Sequence, residues 1–152
     1  MTWYELWLFL HISGVAIWIG GGVVAQVLGA LANTSGDPAR SAAFGKDIGS
    51  VARWVFMPAS LVVLVSGILL VENGNWDWSE RFILLGLVGW AVVSFTFFGY
   101  ITRAMRHVGM RMATEGPSPE LGAQVGRLVL LARIMILVLF ALVFVMVVKP
   151  GT

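Results

Sequence analysis

Four long stretches with almost no charge constrain this chain more than any other feature of it: Leu6 to Gly36, Trp54 to Val71, Phe82 to Thr102 and Leu128 to Val148, the last broken only by Arg133. Each reaches or approaches the roughly 20 residues that cross a hydrocarbon core of about 30 Å. The runs are continuously apolar, whereas a barrel strand alternates over about 10 residues, so the spans are helices. At 59% hydrophobic and 12% charged residues, the whole chain is far from the roughly 25% charge of a soluble domain. The expectation is an all-α, polytopic membrane protein, a four-transmembrane-helix bundle with helices at about 3–32, 51–72, 79–107 and 119–149. No length remains for a second domain, so residues 1–152 form a single transmembrane domain.

The first span is read as retained. It begins MTWYELW, with Glu5 where a signal peptide carries basic residues, and its apolar run exceeds a signal core of 7–15 residues despite the small Ala30-Leu31-Ala32.

Charge distribution sets orientation. Arg40, Lys46 and Arg53 lie between helices 1 and 2, and Arg103, Arg106, Arg111 and Arg127 surround the loop between helices 3 and 4. The other side carries Arg81 and Lys149 beside Glu5, Glu72, Asp77 and Glu80. The positive-inside rule then predicts an N-out/C-out arrangement in a bacterial inner (cytoplasmic) membrane. Trp3, Trp7, Trp76 and Trp78 form an outer aromatic belt, with Trp54 at the inner interface.

Local signals mark the helix ends. Asp37-Pro38 and Ser118-Pro119 each place a capping residue before a proline suited to the first turn, predicting an amphipathic lead-in to helix 2 and an early start to helix 4. Asp77-Trp78-Ser79-Glu80 has capping-box spacing, and Lys149-Pro150-Gly151 closes helix 4.

With no cysteine, disulfides, thiolate metal sites and cysteine nucleophiles are excluded. No carboxylate lies in a membrane core, which argues against a carboxylate proton relay. There is no phosphate loop or nucleic-acid motif, and topology accounts for the basic loops.

His11 is the histidine inside a span, roughly 8 Å below the outer end of its helix. An ionisable group there is a functional candidate by default. At about 100° per residue it shares a face with Gly14, Trp18, Gly22, Ala25 and Gly29. Gly21, Ala25 and Gly29 make a small-xxx-small ladder, which admits either a neighbouring helix or a flat ligand. His11 is then either a ligand or a neutral imidazole hydrogen-bonded across the bundle to a group such as Ser66.

His107 follows the cytoplasmic end of helix 3, on the order of 20 Å or more from His11, so the two cannot share one haem within a subunit. It reads as an interfacial cation among Arg103, Arg106 and Arg111. A haem b would need His11 as iron ligand with an open position, a weak ligand such as Met146, or a second subunit. Arg81 could pair a propionate.

Arg133 falls at the height of Gln26, Ser60 and Tyr100. It either snorkels to the headgroups or completes an inner polar pocket with those three. Pro58 predicts a kink whose freed carbonyl could accept from that pocket. Trp18 and Trp90 near the midplane fill core space or stack on a planar cofactor. Met105, Met110 and Met112 read as adaptable packing before a soft-metal site.

The segments FLHISGVAIWIGGGVVAQV and RWVFMPASLVVLVSGILLV, with the closing KPG, resemble the bacterial family of uncharacterised four-helix predicted integral membrane proteins. More distantly, the first-helix histidine followed by tryptophan and glycine is similar to HemJ-type protoporphyrinogen oxidases and CopD-type copper-resistance membrane proteins. That resemblance implies a haem ligand at His11, with Trp18 and Gly20 in the following motif. The intramembrane lysine of the oxidase type has no counterpart between Lys46 and Lys149. Three functions follow as expectations: a haem- or porphyrin-binding membrane protein, a non-enzymatic accessory or scaffold subunit, or a small oligomeric transporter. Its expected partners are the lipid bilayer and a homo-oligomer or larger membrane complex.

Overall fold

The computed structural model describes residues 2–150, and of Pro38 the backbone alone. Gly151, the last residue of the closing signal, lies outside the described residues. All regular structure among them is helical. The chain runs through α1 (Trp3–Thr34), α2 (Pro38–Val51), α3 (Met57–Asn73), α4 (Arg81–Ser94), α5 (Thr102–Glu115) and α6 (Pro119–Val148). A π-helical segment, Ala52–Phe56, fuses α2 to α3, and a second, Phe95–Ile101, fuses α4 to α5. Four rods result, each long and apolar enough to cross a membrane.

Helix starts follow their capping chemistry. Thr2 and Glu5 form a reciprocal capping box: Glu5 N–H donates to Thr2 Oγ1 (3.2 Å), and Thr2 N–H donates to Glu5 Oε2 (2.8 Å). Asp37 caps α2 through Ala39 N–H (2.9 Å), and Ser118 caps α6 through Leu121 N–H (3.2 Å). The capping box expected at Asp77 does not form. Asp77 Oδ1 instead accepts from Ser79 N–H at 2.8 Å, an Asx turn that uses up the carboxylate two residues on and delays α4 to Arg81.

The π segments have a local cause in one rod. Pro58 lacks an N–H and its ring crowds the carbonyl one turn back. Winding the preceding turn wider relieves that clash, and Met57 N–H reaches back to Ala52 O. The expected proline kink therefore takes the form of a π turn.

Neighbouring rods close a ring: α1 packs along α3, α4 along α6, α6 also against α1, and α3 more lightly against α4. Short connections make successive rods antiparallel, so the two ends of the described chain share one end of the bundle with the α3–α4 loop. Lys149 Nζ lies over the Trp76 ring of that loop, 4.1 Å from its centroid. The central core contains Trp18, Phe56, Val93, Met135 and Leu139. Val71, Phe82 and Ile83 cluster near the termini, and Val108, Leu121 and Leu128 join α5 to α6 at the far end. Outward-facing residues are apolar too, with Phe95 74%, Phe144 67% and Val147 76% exposed. That surface suits acyl chains.

Candidate functional site

His11 meets α3, one helix away and at matching height. Its Nδ1 lies 3.0 Å from Val63 O and 3.2 Å from Ser66 Oγ. Ser66 is 1% exposed, and its hydroxyl donates back to the Val62 and Val63 carbonyls. With that proton committed to the helix, Ser66 Oγ can only accept from His11. A carbonyl also only accepts, so Nδ1 carries the proton and a neutral ring leaves Nε2 with a bare lone pair. Nε2 has no hydrogen bond, yet no buried side-chain nitrogen or oxygen among the described residues lacks a partner. Nε2 is therefore not fully sealed within the α1–α3 seam. Gly67 makes the approach possible, because a Cβ there would come within 3.2 Å of His11 Cε1.

The rest of the expected cofactor face is filled by protein. A Cβ on Gly14 would meet Val63 Cγ2 at 2.9 Å and Ala59 O at 3.2 Å, and one on Gly22 would meet Ile136 Cδ1 at 3.3 Å. Phe56 occupies the notch at Gly21. Trp18 is 4% exposed and stacks on Phe98, with centroids 6.3 Å apart and planes 19° from parallel. The space left among Trp18, Gly22, Phe56, Val93 and Met135 is an apolar void of about 20 Å³. Ligand pockets run to about 300–1,000 Å³. A porphyrin is far larger than that void.

Arg81 is exposed at the start of α4, across the ring from α1. Met146 inserts its methyl into the notch at Gly86 and packs with Phe82 and Ile83. Neither is brought to His11 by the helix packing.

The four residues expected to form an inner polar pocket divide into three places. Arg133 Nε donates to Gln26 Oε1 at 3.2 Å, joining α6 to α1. Ser60, 2% exposed, bonds Ser94 Oγ at 3.1 Å in the bundle centre, where Trp90 Nε1 also donates to Ser60 O at 2.9 Å. Tyr100 points outward, 59% exposed. It lies within Phe95–Ile101, whose wider winding departs from the regular helical period by which its face was projected.

His107 and Met110 are exposed on α5, at the end away from His11, whereas Met105 and Met112 pack inward. Two features escaped the sequence reading: the Trp90–Ser60–Ser94 cluster, and the α4–α6 seam where Gly86 and Gly89 receive Met146 and Leu142. Gly86-x-x-Gly89 was its visible sign.

The family described as Predicted integral membrane protein (DUF2269) matches residues 5–150. The chain belongs to that family. No curated protein and no solved structure matches it. Membership in this predicted integral membrane family agrees with the four long apolar rods and makes the chain an integral, multi-pass membrane protein.

Proposed function

We propose that this protein is a non-catalytic membrane subunit: a rigid four-helix body, N-out/C-out in a bacterial inner membrane, that assembles with itself or with a larger complex. The observation that carries the reading is the filled interior. Gly14, Gly21 and Gly22 each receive a protein side chain, and the central void of about 20 Å³ is apolar. A transporter would need a polar path, and the residues around that void are apolar or aromatic. The basic loops support the orientation through the positive-inside rule. Chemical crosslinking in native membranes tests assembly: a ladder of discrete adducts is expected, and a strictly monomeric species at every crosslinker concentration overturns it.

A second reading rests on His11 alone. Ligating histidines commonly donate their other ring N–H to a carbonyl, which orients the ring, and Val63 O occupies that position here. We infer that Nε2 is a ligand donor for a haem or porphyrin iron approaching from the lipid side or held by a partner chain. The Val63 carbonyl would hold the His11 ring in the correct tautomer, and the metal would supply any redox chemistry. Gently purified protein should then show a Soret band that His11→Ala abolishes. A colourless preparation that also fails to take up added haem excludes this reading and leaves the first intact.

A further inference from the structure

Arg133 is a cation set among apolar neighbours. Leu130, Ile134 and Leu137 around it on α6 are 57%, 43% and 67% exposed, and Val23 and Val27 on α1 are 39% and 55% exposed. One bond holds the guanidinium in place, from Nε to Gln26 Oε1 at 3.2 Å. That leaves both Nη groups and the Gln26 amide NH2 without an acceptor among the described residues. Donors from two helices thus converge on one groove, on a surface otherwise built for lipid.

Depth limits what can satisfy them. Arg133 lies about 22 Å along α6 from Val148, at 1.5 Å per residue. In a core about 30 Å thick, the remaining distance is about the reach of an arginine that snorkels to the headgroups of the leaflet at the basic-loop end. Gln26 lies about 29 Å along α1 from Trp7, close to the same level. The acceptors available there are lipid phosphate and ester oxygens. A phosphate alone offers paired anionic oxygens that match the guanidinium fork. The exposed Arg127, nearer the surface on the same helix, opposes a headgroup carrying its own ammonium.

We propose that Arg133 and Gln26 form a binding site for the phosphate of an anionic phospholipid, with the acyl chains lying along the exposed apolar residues of the α1–α6 groove. Gln26 positions the guanidinium by engaging Nε, so that both Nη groups face the phosphate. The site is independent of His11 and of either reading of function.

Native mass spectrometry of the delipidated full chain, titrated with phosphatidylglycerol or with phosphatidylcholine of the same chains, tests it. The first phosphatidylglycerol adduct is expected at lower lipid concentration than the phosphatidylcholine one. Arg133→Gln should raise the concentration for half occupancy by about tenfold, the scale of one lost charge-assisted contact. Arg133→Lys, which keeps the charge and serves if the glutamine variant does not fold, should weaken binding in the same direction because it loses the fork. Arg81→Gln, at the opposite end of the bundle and outside the groove, should leave the first adduct in place. Equal affinity in wild type and both Arg133 variants, or no preference for phosphatidylglycerol, overturns the proposal. Displacement of the adduct by millimolar inorganic phosphate also overturns it, by assigning the groove to a free anion.

Discussion

His11 Nδ1 and the Val63 carbonyl oxygen, 3.0 Å apart, join α1 to α3 through a backbone acceptor that α3 already uses in its own hydrogen bonding. Such an acceptor survives any side-chain change at position 63, so the link depends on the imidazole. His11→Phe keeps an aromatic ring and removes the donor. It should lower stability by about 1 kcal/mol, within the range for interhelical bonds in membranes. Ser66→Ala should cost less, because the Ser66 hydroxyl is spent largely on its own helix. Thermal unfolding in one detergent compares the two, and a larger loss for Ser66→Ala would reverse this account.

Two glycines with similar surroundings should respond differently to alanine. At Gly14 the new Cβ meets the branched Val63 side chain and the Ala59 carbonyl, neither of which can yield without moving α3. Gly14→Ala is expected to destabilise by about 1–3 kcal/mol. At Gly86 it meets the far end of Met146, which can swing aside, so Gly86→Ala should cost well under 1 kcal/mol. Gly20→Ala, facing open space, serves as the neutral control in the same unfolding assay.

Trp90 reaches from α4 to the Ser60 carbonyl on α3, beside the Ser60–Ser94 bond. Trp90→Phe removes this N–H and part of the ring volume, with an expected loss of about 1–2 kcal/mol. Ser94→Ala should cost about 0.5–1 kcal/mol and be non-additive with Ser60→Ala, since both remove one shared bond. A double-mutant cycle giving no coupling would contradict that arrangement.

Asp77 titrates outside the membrane. The Ser79 N–H and side chain hold its carboxyl below its ordinary range. Its contribution to the α3–α4 turn is therefore fully present above the ordinary carboxylate pKa of about 3.9 and is lost as pH falls through the lower folded value. The Ser79 amide resonance should titrate with a midpoint below about 3.9, and Asp77→Asn should abolish that titration while keeping the turn. A midpoint at or above the ordinary value would contradict the Asx turn.

Much of this architecture could be read from residue order. The charge-free intervals disclosed four spans, and Asp37-Pro38 and Ser118-Pro119 marked helix starts that the structure contains. Ser66 could be matched to His11 by height alone. The inner pocket and the cofactor face read less well. A shared height does not mean contact: Ser60 turned to Ser94, and Tyr100 was carried outward within a π segment. The glycine face was compatible with a ligand or a helix until the side chains of Val63, Phe56 and Ile136 were placed in it.

What residue order determined by itself was the membrane-spanning helical architecture, because burying an apolar segment in lipid and satisfying its backbone within one helix are local, additive requirements. Which donor meets which acceptor, whether a glycine notch holds a ligand or a phenylalanine, and where Nε2 of His11 points were decided only in the tertiary structure. Between lipid-embedded helices, partners are chosen by shape and close packing, and the sum over a sequence does not contain that shape.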